Sequence, residues 1–442
     1  MSAAPNTSLT HTRALRLQVL AGTWLAYAGM YMGRRVFGVV KLPLKQVLGV
    51  DDFALSHLWT TFLITYMLGQ FAVAHLGRRT SSRTLLIAGL LCSGFSSAAM
   101  GVVMRWGQAA YFPLLILMAL HGLGQATGWA NCVQLIGRWT PRHQRGRVMG
   151  VWSTCCQFGA VTGKALAAFL LGWGGLLWPF LGAAAVLFSV AAIFLKWGHE
   201  SPAAAHIPSS DQTAISSEPD PSSSEPKAAA FPAIFKLALA MGMTYACIKF
   251  LRDALDSWTA IVVAERFGLT ATASGYLTTI LDLTGFGGAL LAGFLSDRMR
   301  NSARTPIVFA TTLGLLLSLL LLWSQGLQST GTFMLALGIV GFFLTGPDSL
   351  LSGAGAMDLG VRGNPVVTIA IVNGLGSAGS ILEEPLIGWL KTHVGVDAVF
   401  GALVTVAALA TAATAGLHFA TRAIRKRSSA ASTVSDNVDA LT

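Results

Sequence analysis

The stretch GLLWPFLGAAAVLFSVAAIFLKW, Gly175 to Trp197, decides the fold. It carries one charge, Lys196, next to its last residue. A helix rises about 1.5 Å per residue, so a run of this length spans roughly 30 Å of hydrocarbon. The residues that follow, HESPAAAHIPSSDQTAISSEPDPSSSEPKAAAFP at 199–232, are opposite in character. They are rich in Ser, Pro, Ala and acidic residues and have no apolar period, and they read as a disordered linker.

Similar apolar runs extend outward on both sides. Before the linker they cover 17–44, 53–76, 84–104, 108–136, 147–171 and 175–197. After it they cover 233–262, 271–296, 306–325, 331–356, 365–391 and 396–421. The expectation is an all-α membrane protein of twelve transmembrane helices in two six-helix halves. The halves are 17–198 and 233–421, with the linker at 199–232 and tails at 1–16 and 422–442. Composition agrees: 53% of the 442 residues are hydrophobic and 11% charged, against roughly 25% charged in soluble domains. Strand-like alternation is absent, which argues against a transmembrane barrel. The N-terminal residues lack a signal-peptide apolar stretch of their own, so the first run reads as an uncleaved span.

The net charge of +11 resembles a nucleic-acid signal until its distribution is read. One set of connectors holds 17 Lys or Arg: Arg13, Arg16, Arg78, Arg79, Arg83, Arg138, Arg142, Arg145, Arg147, Arg298, Arg300, Arg304, Arg362, Arg422, Arg425, Lys426 and Arg427. The other set holds four: Lys45, Arg105, Arg266 and Lys391. That asymmetry puts both termini and the linker in the cytoplasm, with membrane lipid and not nucleic acid as the partner. Without organelle signals, a bacterial inner membrane and a monomer are expected. The connectors Gly77-Arg78-Arg79 and Gly293-Phe294-Leu295-Ser296-Asp297-Arg298 echo each other, as duplicated halves would.

The informative residues are ionisable groups inside apolar runs, each costing about 2.5–3.5 kcal/mol or more at mid-membrane. They are Arg34, Arg35, Lys164, Lys249, Arg252, Asp253, Asp256, Asp282, Asp348, Glu383 and Glu384. Arg34 and Arg252 each lie near the middle of the first span of their half. Two guanidiniums cannot satisfy one another, and their planar forks match phosphate or carboxylate oxygens. A small anionic substrate is therefore expected, unless each arginine has a private carboxylate, such as Asp256 one turn from Arg252. Arg35 points about 100° away from Arg34, with Asp256 or Asp282 as partners in a static bridge or a gate. Lys164 could meet Glu383 or Glu384, or touch substrate, and Lys249 could widen the positive field.

Weaker candidates are Tyr31, Tyr66, Gln70, Gln125, Trp129, Asn131, Gln157, Trp258 and Asn373, as cavity walls or hydrogen-bond donors. Helix–helix hydrogen bonding explains many such residues equally well. The glycines from Gly374 to Gly379 lie within an apolar span and suit close helix packing. No enzyme constellation emerges. His121 has no second His at ligand spacing, the five cysteines lie singly or adjacent in apolar runs, Gly353-Ala354-Gly355 is no nucleophile elbow, and there is no Walker lysine. No cofactor is expected, and energy would come from a substrate or ion gradient.

The chain resembles the organophosphate:phosphate antiporter family of the major facilitator superfamily. Tyr31-Met32-Gly33-Arg34-Arg35-Val36-Phe37 is similar to its first-span motif. Gly124-Gln125-Ala126-Thr127-Gly128-Trp129 with Arg138-Trp139 and Arg145-Gly146 is similar to its fourth-span signature. Gly150-Val151-Trp152, Arg252 before Trp258, Asp282 before Leu283-Thr284-Gly285, Gly346-Pro347, Asp358-Leu359-Gly360 and Thr368 to Gly379 extend the likeness. The resemblance implies exchange of inorganic phosphate for an organic phosphate, gripped by Arg34 and Arg252 in a rocker-switch cycle. Gln70 and Cys156 stand where the bacterial glycerol-3-phosphate transporter has lysine and histidine, and Lys164, Glu383 and Glu384 are additions. Two other functions fit the same residues: a non-transporting sugar-phosphate sensor, and a proton-coupled transporter of a carboxylate or other substrate using Glu383 or Glu384.

Overall fold

The computed structural model describes residues 5–77, 79–202, 205, 231–298, 305–351 and 365–439. Expectations placed on Arg78, the side chain of Asp297, the stretch 352–364 and most of the linker lie outside the described residues. Among the described residues there are fourteen α-helices and no strand. In chain order they are α1 (Pro5–Leu48), α2 (Asp52–Leu76), α3 (Ser82–Val103), α4 (Tyr111–Ala126), α5 (Gly128–Trp139), α6 (Arg142–Trp152) and α7 (Thr154–Gly174). Then come α8 (Leu177–Trp197), α9 (Phe231–Phe267), α10 (Ala271–Arg298), α11 (Thr305–Ser324), α12 (Thr330–Ser349), α13 (Pro365–His393) and α14 (Val396–Asp439).

Fourteen helices make twelve spans because two spans are interrupted. The fourth breaks at Thr127, whose hydroxyl donates to the Gly124 carbonyl at 2.9 Å. A threonine bonding back to the preceding turn competes with the helix ladder. The fifth breaks at Ser153, which bonds the Gly150 carbonyl in the same way at 2.9 Å. Helix starts follow the capping residues. Asp51 accepts from the Ala54 amide at 2.7 Å, Ser81 accepts from Thr84, and Ser329 with Thr332 forms a capping box. Both end helices outrun their expected spans, from Pro5 and to Asp439, because no breaker lies between the tails and the apolar runs.

Seven helical stretches among the described residues are long and apolar enough to cross a membrane by length and composition. Helices α1, α2, α9 and α13 are not among them. Three of these, α1, α9 and α13, carry Arg34, Arg35, Arg252, Asp253, Asp256, Glu383 and Glu384.

The chain forms two compact units. The first comprises Met1–Ser223, Asp256–Asp282 and Glu384–His393. It therefore includes the last turns of α9, the first half of α10 and the end of α13. Within it, α1 packs along α7 and α8, α2 along α4, and α3 against α4 and α8. The α1–α7 seam is closed by glycine. A Cβ on Gly159 would lie 2.5 Å from the Ala28 carbonyl oxygen, and one on Gly163 would lie 2.7 Å from the Met32 Cα. Such close backbone approach is how helices associate without a hydrophobic drive. The second unit comprises Ser224–Leu255, Leu283–Glu383 and Val394–Thr442. There α11 packs on α12 and α14, tied by Thr312 to Thr414 at 2.9 Å and by the Thr411 hydroxyl to the Thr312 carbonyl at 3.2 Å.

Candidate functional site

In the first unit the site is built on α1. Arg34 is half-buried and donates through Nη2 to Gln125 Oε1 on α4 at 3.2 Å. Its guanidinium carbon lies 4.8 Å from the Tyr66 ring, 5.0 Å from Tyr31 and 5.8 Å from Phe62. Cation–π contacts moderate the cost of the charge without neutralising it. Among the described residues no carboxylate pairs with Arg34, and its Nε has no hydrogen-bond partner. The amide nitrogen of Gln125, fully buried, also lacks a partner. Beyond Tyr31 the aromatic wall continues through Tyr27 to Trp152 and Trp129, with ring centroids 5.3 to 5.7 Å apart. A fixed positive charge and two buried donors without acceptors make this a place that favours an anion.

Next to it lies a charge-balanced network. Arg35 pairs with Asp256 in the last third of α9. Lys164 on α7 reaches Asp256 Oδ1 and Asp282 Oδ2, each at 2.7 Å. Two cations and two carboxylates are thus held together with little solvent exposure. This corrects two sequence expectations. Asp256 serves Arg35 and Lys164, not Arg252, and the lysine that Glu384 meets is Lys41, not Lys164. Helix packing decides the first outcome: the α1–α7 seam sets Lys164 beside Arg35, so both reach Asp256 on α9, and Lys164 also reaches Asp282 on α10.

Lys41 was not anticipated. It is fully buried and pairs with Glu384 Oε1, while Trp258 Nε1 donates to Glu384 Oε2 at 3.0 Å. The Trp258 ring also lies under the Lys41 ammonium, 3.5 Å from Nζ. One turn further on, Lys45 reaches Asp52 at 2.9 Å and Glu265 at 3.2 Å. Lys391 reaches the same two carboxylates at 2.7 and 2.6 Å. Burial lowers the Lys45 pKa, but the hydrogen bonds and charges of Asp52 and Glu265 outweigh it and leave it above 10.5. The signal for Lys41 was present in the sequence: positions 41 and 45 each fall within about 20° of position 34 on a helical wheel.

The second unit holds the other arginine. Arg252 on α9 pairs with Asp348 Oδ2 near the end of α12, and the Tyr245 hydroxyl donates to Asp348 Oδ1 at 3.3 Å. Lys249 lies 3.5 Å from Asp253 one turn along, so its field is locally opposed. Glu383 is fully buried on α13, and Asn373 is exposed, its carbonyl accepting from Ser377 at 3.1 Å. In the first unit, Gln157 is half-buried on α7, and Trp129 is exposed at the edge of the aromatic wall.

The family model of the Major Facilitator Superfamily matches residues 23–381. The chain belongs to that superfamily. An Arabidopsis thaliana protein named "Putative glycerol-3-phosphate transporter 2" is 29% identical over 431 residues, covering 87% of this chain and 83% of its own. Sugar phosphate exchanger 3 of Bos taurus is 26% identical over 440 residues, covering 86% and 88%. Among solved structures, a bacterial homologue of the human lysosomal transporter Spinster, inward-facing and unoccupied, superposes with a TM-score of 0.70 at 16% identity. It covers 96% of this chain and 99% of its own. A D-xylose–proton symporter gives the same TM-score at 14% identity, covering 90% and 96%. These structures share the superfamily's twelve-helix fold.

Proposed function

We propose that this protein is a secondary transporter that exchanges an organic phosphate, a sugar phosphate or glycerol phosphate, for inorganic phosphate by alternating access. One observation carries the reading. Arg34 is a permanent cation in a membrane span, caged by Gln125 and three aromatic rings, and among the described residues no carboxylate pairs with it. A guanidinium so placed suits an anion that arrives and leaves, and phosphate oxygens match its fork. The relatives named as glycerol-3-phosphate and sugar phosphate transporters support the same substrate class. Arg252, at the matching position of the second half, is the proposed second phosphate-binding group. Lys164, Lys249, Tyr31, Gln125, Trp129, Gln157 and Asn373 are proposed to shape the site. Arg35, Asp256, Asp282, Glu383 and Glu384 are proposed as charge pairs of the cycle.

The basic connectors support cytoplasmic termini. A proton-coupled carboxylate transporter would draw on Glu383 or Glu384, and of these Glu384 is held by Lys41 and Trp258. The test is phosphate counterflow. Proteoliposomes loaded with phosphate should take up radiolabelled phosphate with wild type and lose that uptake with Arg34→Ala and with Arg252→Ala. A folded wild type that exchanges no phosphate would overturn the proposal.

A further inference from the structure

Arg34 and Arg252 are not equivalent. Arg34 is surrounded by neutral groups, whereas Arg252 has a carboxylate at its side: Asp348, 8% exposed, pairs with it through Oδ2 and accepts from Tyr245 through Oδ1. Asp348 is one of the ionisable residues the sequence singled out, and the proposed grip on phosphate leaves it without a task. It lies directly after Pro347, near the end of α12. Both of its oxygens are engaged by α9 side chains, so its orientation is fixed from two directions.

We propose that Asp348 is a specificity-determining residue that selects oxyanions carrying a proton and rejects fully ionised ones. The inference rests on the phosphate-exchange reading. A carboxylate beside the binding arginine has two effects. It opposes any incoming anion, because like charges in a weakly polar site repel strongly. It also offers an acceptor oxygen to an anion that bears an O–H. Inorganic phosphate near neutral pH keeps at least one P–OH in both of its prevailing forms. It can donate to Asp348 while its other oxygens accept from Arg252. Sulfate has no proton to donate and meets only the repulsion. An organic phosphate satisfies the same acceptor through its singly ionised form or through a neighbouring hydroxyl. Opposing the wrong ligand with a like charge is a general route to specificity.

The test uses the full-length protein in phosphate-loaded proteoliposomes and reads sulfate inhibition of phosphate uptake. Wild type should be indifferent to a large excess of sulfate. Asp348→Asn should become inhibitable, with the sulfate concentration for half-inhibition lower by tenfold or more. Asp348→Glu, which keeps the carboxylate, should stay indifferent. Tyr245→Phe, which loosens Asp348 without removing it, should lie between. An Asp348→Asn protein that still exchanges phosphate and still ignores sulfate overturns the inference, as does a wild type that sulfate inhibits. If Asp348→Asn does not turn over, thermal stabilisation in detergent decides. Stabilisation by both anions supports the inference, and stabilisation by phosphate alone or by neither overturns it. A wild type that exchanges no phosphate removes the functional reading and this inference with it. A working wild type with a sulfate-blind variant removes the inference alone.

Discussion

Lys41 and Glu384 form an ion pair in which both side chains are fully enclosed, 343 residues apart in the chain. Trp258 completes the arrangement, giving its N–H to the carboxylate and its ring face to the ammonium. Breaking such a pair from one side leaves an uncompensated buried charge, a loss of about 3–5 kcal/mol. Lys41→Met should therefore lower the thermal unfolding temperature in detergent severely. Adding Glu384→Gln, which still accepts from Trp258, should recover much of the loss. A double variant as unstable as the sum of the two singles would show that the residues do not act as a pair.

Lys164 bridges Asp256 and Asp282. Lys164→Gln leaves Arg35 as the cation of that network facing two carboxylates, with a net charge of −1 close to Arg34. Phosphate exchange should fall at least tenfold, equivalent to about 1.4 kcal/mol. Asp282→Asn added to Lys164→Gln restores neutrality and should return part of the activity. Equal activity in the single and double variants would show that charge balance is not what Lys164 supplies.

Arg34 offers a planar fork, and its partner Gln125 has a spare buried amide. Arg34→Lys keeps the charge and loses the fork, so KM for phosphate should rise about tenfold or more while some exchange survives. Gln125→Leu removes one hydrogen bond made to a charged group and should cost about 1.5–3 kcal/mol, roughly tenfold or more in KM. Concentration-dependent uptake in proteoliposomes measures both. If Arg34→Lys matches wild type, point charge alone suffices.

Lys45 has a folded-state pKa above 10.5, set by Asp52 and Glu265 against burial. A raised lysine stabilises the folded state fully below its ordinary value and progressively less as pH climbs through the folded value. Unfolding temperature in detergent should thus fall on the alkaline side of 10.5. Lys45→Met should be less stable than wild type at neutral pH and converge with it at high pH. Parallel curves would show that Lys45 does not contribute through its charge.

The spans were legible because length and hydropathy are local properties of the chain. Arg34, Arg35 and Arg252 were legible because each stands inside an otherwise apolar run. Asp256 stood among the partners expected for Arg35 and is the one found, whereas choosing Asp348 for Arg252 over Asp256 depends on where the fold sets the end of α12. Lys41 escaped notice because a lysine near the end of an apolar run ordinarily extends its ammonium to the membrane surface. Lys45 and Lys391 read as connector charges, and only the fold brings them to Asp52 and Glu265. The breaks at Thr127 and Ser153 depend on hydroxyls bonding their own backbone, which hydropathy does not register.

Gly159 and Gly163 let the backbones of α1 and α7 touch, with no side chain between them to deform. Two helices in such contact behave as a single strut, and Arg34, Arg35 and Lys164 are mounted on it. Those cations keep their spacing through any motion of the strut, and what can change is the set of anions they hold. On this view transport resembles a relay of negative charge past a stationary row of positive posts. Glycine supplies the stiffness that keeps the row straight.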